Sequence, residues 1–211
     1  MRKGEQTRAT ILSHALDIAS RDGLEGLTIG SLADRAGMSK SGVFAHFGSR
    51  EDLQIAVLKE YESRFVDQVL LPSLKEKRGL ARLRAIFARW LERSVYEAAH
   101  GCIYISGAVE YDDRPGPVRD ELVTMVQRWQ RELTRAIRLA LQTGELRGGT
   151  DPDQLCFEMY GVILALHHDG RLLHNPDSLR RARAAFERLI DSYSVQSRAP
   201  AAVADQCAVA L

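Results

Sequence analysis

Apolar positions recur at three- and four-residue steps along almost the whole chain, the signature of helices that bury one face. Ile11, Leu12, Ala15, Leu16 and Ala19 share one such face, and Asp22-Gly23 ends the run. Thr28 has the side chain of an N-cap for a short helix carrying Ile29, Leu32 and Ala33; Ala36-Gly37 breaks it and Ser39 opens a third. Ser49-Arg50-Glu51-Asp52 has the form of a capping box before a long stripe of Leu53, Val57, Leu58, Tyr61, Phe65 and Val69, which Pro72 closes or kinks. Two further stripes follow, Leu80-Leu83-Phe87-Trp90-Leu91-Val95 and Val118-Leu122-Val126-Trp129-Leu133-Ile137-Leu141. Asp151-Pro152 and Asn175-Pro176 each read as an N-cap followed by proline at the first helical position, opening the last two helices. Between the stripes, Cys102 to Val109 is apolar and partly alternating, so its period fits helix or strand; its helical surroundings favour a short buried helix. From Ser197 the stripe is lost and a frayed tail is expected. The pattern predicts an all-α chain of about nine helices.

Composition narrows the class. Of 211 residues, 45% are hydrophobic and 27% charged, which is ordinary globular usage. A chain of this length buries roughly 70% of its unfolded surface. The net charge of +1 excludes a polybasic coat, so any nucleic-acid contact has to come from a local patch. Cys102, Cys156 and Cys207 are far apart and include no C-x-x-C pair, which argues against a disulfide framework or zinc ribbon and for a reducing compartment. The longest apolar run, Gly161 to Leu166, falls far short of the ~18 residues of a membrane span, and no leader-like segment is visible. A soluble, cytoplasmic protein is expected, without membrane association.

The densest chemical signal lies in residues 28–47. Two short helices crossing steeply through a tight turn need a small residue at the crossing, and Ala33 supplies it. They need a residue tolerant of positive φ at the turn, which Gly37 is. Ile29, Leu32, Ala36, Met38 and Val43 stand at the inward positions. The second helix keeps Ser39, Lys40, Ser41 and Gly42 outward, a small polar face of the kind that fits against base edges in a major groove. Spacing alone does not decide, because helix–turn–helix hairpins also occur in enzymes. Charge adds little: residues 1–50 carry seven basic and five acidic side chains, with Arg2, Lys3, Lys40 and Arg50 at segment ends where phosphates would pass.

Residues 7–53 taken together resemble the N-terminal DNA-binding domain of the TetR family of bacterial transcriptional regulators. The resemblance rests on Thr7-Arg8, Ile11-Leu12, Ala15-Leu16, Gly23, Leu27-Thr28-Ile29, Leu32-Ala33, Ala36-Gly37-Met38-Ser39, Val43-Phe44-Ala45-His46-Phe47 and Ser49-Arg50-Glu51-Asp52-Leu53. It implies a three-helix DNA-binding domain (1–48), a larger helical effector-binding and dimerisation domain (49–196) and a flexible tail (197–211). It further implies a recognition helix from Ser39 to His46, with Thr28, His46 and Arg50 at phosphate-contact positions. Lys3, Ser39, Lys40, Ser41, Gly42 and Phe44 complete the expected DNA-contacting set. Phe44 stands where the family commonly has tyrosine, and Ala45 where it often has an aromatic residue, so fewer direct contacts are available. Phe44 either packs on a thymine methyl or sugar, or closes the small hydrophobic core.

The same resemblance implies a homodimeric repressor that binds a pseudo-palindromic site on double-stranded DNA and is released by a small-molecule effector. An activator or ligand-independent regulator on the same scaffold remains an alternative. Trp90, Tyr104, Tyr111, Trp129 and Tyr160 either line a cavity for a small, largely apolar ligand or are ordinary core. The helices at about 151–173 and 176–193 are apolar on more than one side, and Gly161 with Ala165 permits close approach, as an isologous dimer interface requires. Arg180, Arg181, Arg183 and Arg188 read as a solvated rim. His167, His168 and His174 lack the i, i+4 spacing of a helical metal pair and read as exposed or capping residues, so no metal and no cofactor is expected. The sequence contains no G-x-S-x-G, P-loop, G-x-G-x-x-G or H-E-x-x-H, which leaves a small helical enzyme as a remote alternative.

Overall fold

The computed structural model describes residues 3–195. The side chain of Lys3, the tail expected from 197 to 211 and Cys207 lie outside the described residues. The order is α1 (Lys3–Gly26), α2 (Ile29–Ala36), α3 (Lys40–Phe47), α4 (Arg50–Phe65), α5 (Leu71–Ser73), α6 (Leu80–His100), α7 (Ile103–Tyr111), α8 (Pro117–Gln142), α9 (Pro152–His167) and α10 (Ser178–Tyr193). A π-helical turn, Val66–Leu70, joins α4 to α5 in one rod, and a second, His168–Leu172, prolongs α9. The described residues thus form nine helical rods and no strand; one isolated bridge pairs Leu146 with Ser194. The segment after Cys102, ambiguous by period, is helical. No helix among the described residues is long and apolar enough to cross a membrane.

Local chemistry sets most boundaries. Gly23 interrupts α1 at φ +77°, where the sequence places its end. The Thr28 hydroxyl accepts the Ser31 N–H while the Ser31 hydroxyl accepts the Thr28 N–H, a reciprocal cap on α2. Ser49 accepts the Asp52 N–H at the start of α4, and Asp151 the Asp153 N–H at the start of α9. One boundary differs from expectation. Asn175-Pro176 does not begin the last helix, because the Asn175 side chain accepts the Asp177 N–H and closes a turn there, so α10 starts at Ser178.

Two hydrophobic cores divide the molecule. The first joins α1, α2 and α3 to Leu53–Tyr61 of α4, to Ile103 and Tyr111 of α7, and to Val118, Leu122 and Met125 of α8. The second joins Phe65 and Val69 to α6, to Trp129–Ala140 of α8, and to α9 and α10. The helical stripes of α4 and α8 therefore run through both cores. The seam crosses α4 between Tyr61 and Phe65 and α8 between Met125 and Trp129, and Tyr104 packs against both sides. The three-helix unit ends near residue 48, but its packing does not: α7 and the first turns of α8 are part of its core.

Candidate functional site

The turn between α2 and α3 is built by backbone geometry. Gly37 takes φ +63°, and the Met38 N–H donates to the Ala33 carbonyl at 3.0 Å. Leu32, Ala33 and Val43 are buried at the crossing, with Ile29 and Met38 packed beside them. Burying Val43 and Phe47 turns the other side of α3 outward, so Lys40, Ser41, Phe44 and Ala45 are exposed on one face. Phe44 is 55% exposed, so it does not close the core and is free to meet a partner. Lys40 makes no salt bridge among the described residues. Gly42 and His46 are half-buried at the edge of this face. A side chain at Gly42 would press on Ser39 Oγ and Met38 Cε. The Ser39 hydroxyl accepts the Gly42 N–H and lies 3.1 Å from the Ser41 hydroxyl, so both serines have a local partner. Exposed Thr28 caps the preceding helix.

Arg50, at the start of α4, is partly engaged within the fold. Its Nε donates to the Leu27 carbonyl at 3.0 Å, its Nη2 donates to the Glu25 carbonyl, and Nη2 lies 3.4 Å from the Glu25 carboxylate. The guanidinium is engaged across the α1–α2 connection because two backbone carbonyls left free at the end of α1 converge on it. These contacts buttress the reading unit, and the Arg50 side chain stays 41% exposed.

The expected aromatic residues divide. Trp90, Trp129, Tyr104 and Tyr160 meet with Phe65 at the seam between the cores. Trp129 crosses Phe65 and Trp90 edge-to-face at 4.8 and 5.1 Å, Trp90 crosses Tyr160 at 4.9 Å, and the Tyr104 and Tyr160 hydroxyls pair at 2.6 Å. They leave a cavity of about 20 Å³, with a second of about 50 Å³ on the other side of Phe65, Tyr104 and Trp129. Burial raises the Tyr104 and Tyr160 hydroxyls above the usual phenol range. Tyr111 does not belong to this group. It is the last residue of α7, in the first core, and its hydroxyl donates to Glu25.

Sequence reasoning missed the polar groups around these aromatics. Glu97 is 3% exposed and accepts from Tyr61 Oη at 2.5 Å and from Arg93 Nε at 2.6 Å; Cys102 Sγ lies 3.6 Å from the same Tyr61 oxygen. Burial pushes the Cys102 thiol up to about 12, with Glu97 adding to the shift, so it stays protonated. One signal was legible: Glu97 continues the Leu83-Phe87-Trp90-Ser94 stripe, placing a carboxylate on the apolar side of α6. Among the described residues no group of three His, Cys, Asp or Glu side chains could hold a metal ion. His168 and His174 are exposed, while His167 is half-buried and held below the ordinary imidazole value by burial and by Arg171.

The fold and the α3 face define a helix–turn–helix DNA-binding unit carried on a helical bundle. Residues 11–57 match the family model for bacterial regulatory proteins of the tetR family, and residues 79–186 that for the tetracyclin repressor-like C-terminal domain. The chain belongs to the TetR family and is a DNA-binding transcriptional regulator. Solved structures with the same fold include a TetR transcriptional regulator from Chloroflexus aurantiacus, with TM-score 0.74 at 22% identity over 90% of this chain and 96% of that one. A TetR-family regulator from Cytophaga hutchinsonii gives TM-score 0.78 at 20% identity, covering 93% and 99%. AibR, solved in complex with isovaleryl coenzyme A and operator DNA, gives 0.66 at 22% identity, covering 87% and 96%. No curated protein matches the sequence significantly.

Proposed function

We propose that the protein is a homodimeric repressor that leaves its operator when a small, largely apolar ligand enters the effector domain. The observation that carries this reading is the outward face of α3, where Lys40, Ser41 and Phe44 stand clear of the core. That face would lie in a major groove, with Ser39, Gly42 and His46 at its margins and Thr28 toward the phosphates. Dimerisation is supported by α9, whose Phe157, Gly161, Leu164 and Ala165 form an exposed apolar stripe beside α10. A two-fold axis there would set two reading helices about 34–36 Å apart, or a multiple of it, on a pseudo-palindromic site. AibR, of the same fold, binds both an acyl-coenzyme A and operator DNA.

Release requires that the ligand bind the DNA-incompetent arrangement more tightly than the competent one. The route for such coupling is the pair of cores that share α4 and α8, with α7 reaching from Cys102 beside the aromatic cavity to Tyr111 against the α1–α2 connection. Retardation of DNA from upstream of the gene tests the reading. Selective binding that weakens steeply with salt is expected; no preference over random DNA would overturn it.

A further inference from the structure

Three features of the seam point to the chemistry of its ligand. The first is an open hydrogen-bond donor. Trp129 is 6% exposed and lines both small cavities, and its indole Nε1–H is buried without a partner among the described residues. A buried donor left unpaired costs on the order of 1–3 kcal/mol, which a ligand acceptor would recover. Tyr61 donates to Glu97, and the hydrogen bond between Tyr104 and Tyr160 uses one of their two O–H donors, so the other phenol O–H stands beside the indole.

The second is charge. Arg93 already neutralises the buried Glu97, and beside the second cavity Arg128 is paired with Glu62 and Glu121, and Glu132 with Arg135. An ionic ligand would lose its hydration and find no uncompensated partner, so the cavity favours a neutral one.

The third is shape and access. Phe65, Trp90, Trp129 and Tyr160 meet edge-to-face, the arrangement between which a flat ring slots after one side chain turns. The two cavities share Tyr61, Phe65, Tyr104 and Trp129, so turning one of these rings merges them. On the outer side, Ile105 and Leu164 line both the aromatic cavity and a large apolar groove of about 1160 Å³ between α6 and the end of α9. These two side chains form the partition between the groove and the rings.

We infer that this cavity is the closed form of a site for a neutral, planar aromatic ligand carrying a carbonyl-type acceptor. The ligand inserts its ring among the aromatics and accepts the Trp129 indole N–H. The inference rests on the proposed effector role of this domain and adds the ligand class. Opening the cavity moves Phe65 or Tyr104 at the point where α4 and α7 pass between the cores, which is how occupancy reaches the reading unit.

The test compares 2-acetylnaphthalene with 2-ethylnaphthalene, which match in shape but differ in the carbonyl, by calorimetric titration of the full-length protein. The acetyl compound is expected to bind about tenfold or more tightly than the ethyl compound, and Trp129→Phe to abolish that preference. Trp90 and Trp129 are the two tryptophans of the chain, so the two indole resonances of the wild-type protein give a second readout. The Trp129 indole proton resonance, assigned with Trp90→Phe, should shift downfield with the acetyl compound and much less with the ethyl one. Equal affinities, binding of neither compound, or a preference that survives Trp129→Phe would overturn the inference. DNA retardation measured on the same preparations separates the two readings: selective DNA binding without ligand binding removes only the ligand class. Ligand binding without selective DNA binding removes the repressor.

Discussion

The Tyr111 hydroxyl donates a 2.5 Å hydrogen bond to Glu25 Oε1, tying the end of α7 to the α1–α2 connection across 86 residues of chain. Glu25 is also approached by Arg50 at 3.4 Å and Arg114 at 3.5 Å, and its own N–H donates to Glu110 at 2.8 Å. Reading unit and effector domain are therefore joined by polar contacts as well as by a shared core.

The Tyr111 bond, followed by the positive charges of Arg50 and Arg114, holds the Glu25 carboxyl below its ordinary 4.5. A depressed carboxyl contributes stability above the unfolded value and loses it as pH falls through the folded one. Glu25→Gln should therefore cost stability at neutral pH, with its difference from wild type vanishing in urea titrations carried out progressively below about pH 4.5. Tyr111→Phe, which keeps the ring buried, should cost about 1 kcal/mol, near the low end for a bond to a charged group because Glu25 is partly solvated.

Lys40→Ala combined with His46→Ala should abolish selective DNA binding while the fold is kept: exposed Lys40 should cost no more than about 0.5 kcal/mol, and half-buried His46, whose ring lies 6.5 Å from that of buried Phe47, somewhat more. Lys40→Ala alone should reduce the slope of log K against log salt by about one if it meets a phosphate. A parallel loss of fold, seen by circular dichroism, would mean these residues are structural.

Two glycines with left-handed backbones should respond differently to alanine. At Gly37 a Cβ meets nothing within 4 Å, so only the backbone term of about 1–2 kcal/mol applies. At Gly101 the added Cβ would collide with the Ser20 carbonyl oxygen of α1. Gly101→Ala should therefore displace α1 from the start of α7 and lower the thermal midpoint by far more than Gly37→Ala.

Phe157 is 74% exposed and Leu164 49% exposed on the outer stripe of α9. Phe157→Glu with Leu164→Glu should leave the helical content intact and convert a dimer to monomer in light scattering. Affinity for a full palindrome should fall much further than affinity for a half-site. An unchanged molar mass would place the interface elsewhere.

Sequence by itself determined the elements and the reading hairpin. Thr28, Ser39 and Ser49 cap helices, Gly37 turns the chain, and the stripes of α4 and α8 bury as their period predicts, because each rests on interactions within about four residues. Only the tertiary structure decided which distant side chains meet. Tyr111 shares its aromatic character with Tyr104, yet seven residues along α7 it faces Glu25 instead of the tryptophans. Arg50, which the sequence places toward phosphate, also donates to the Glu25 and Leu27 carbonyls of the α1–α2 connection. The seam between Tyr61 and Phe65 has no sequence marker, since both lie on one continuous stripe. Its place is set by how α6, α7 and α8 stack against that stripe, a matter of three-dimensional packing that a one-dimensional period cannot contain.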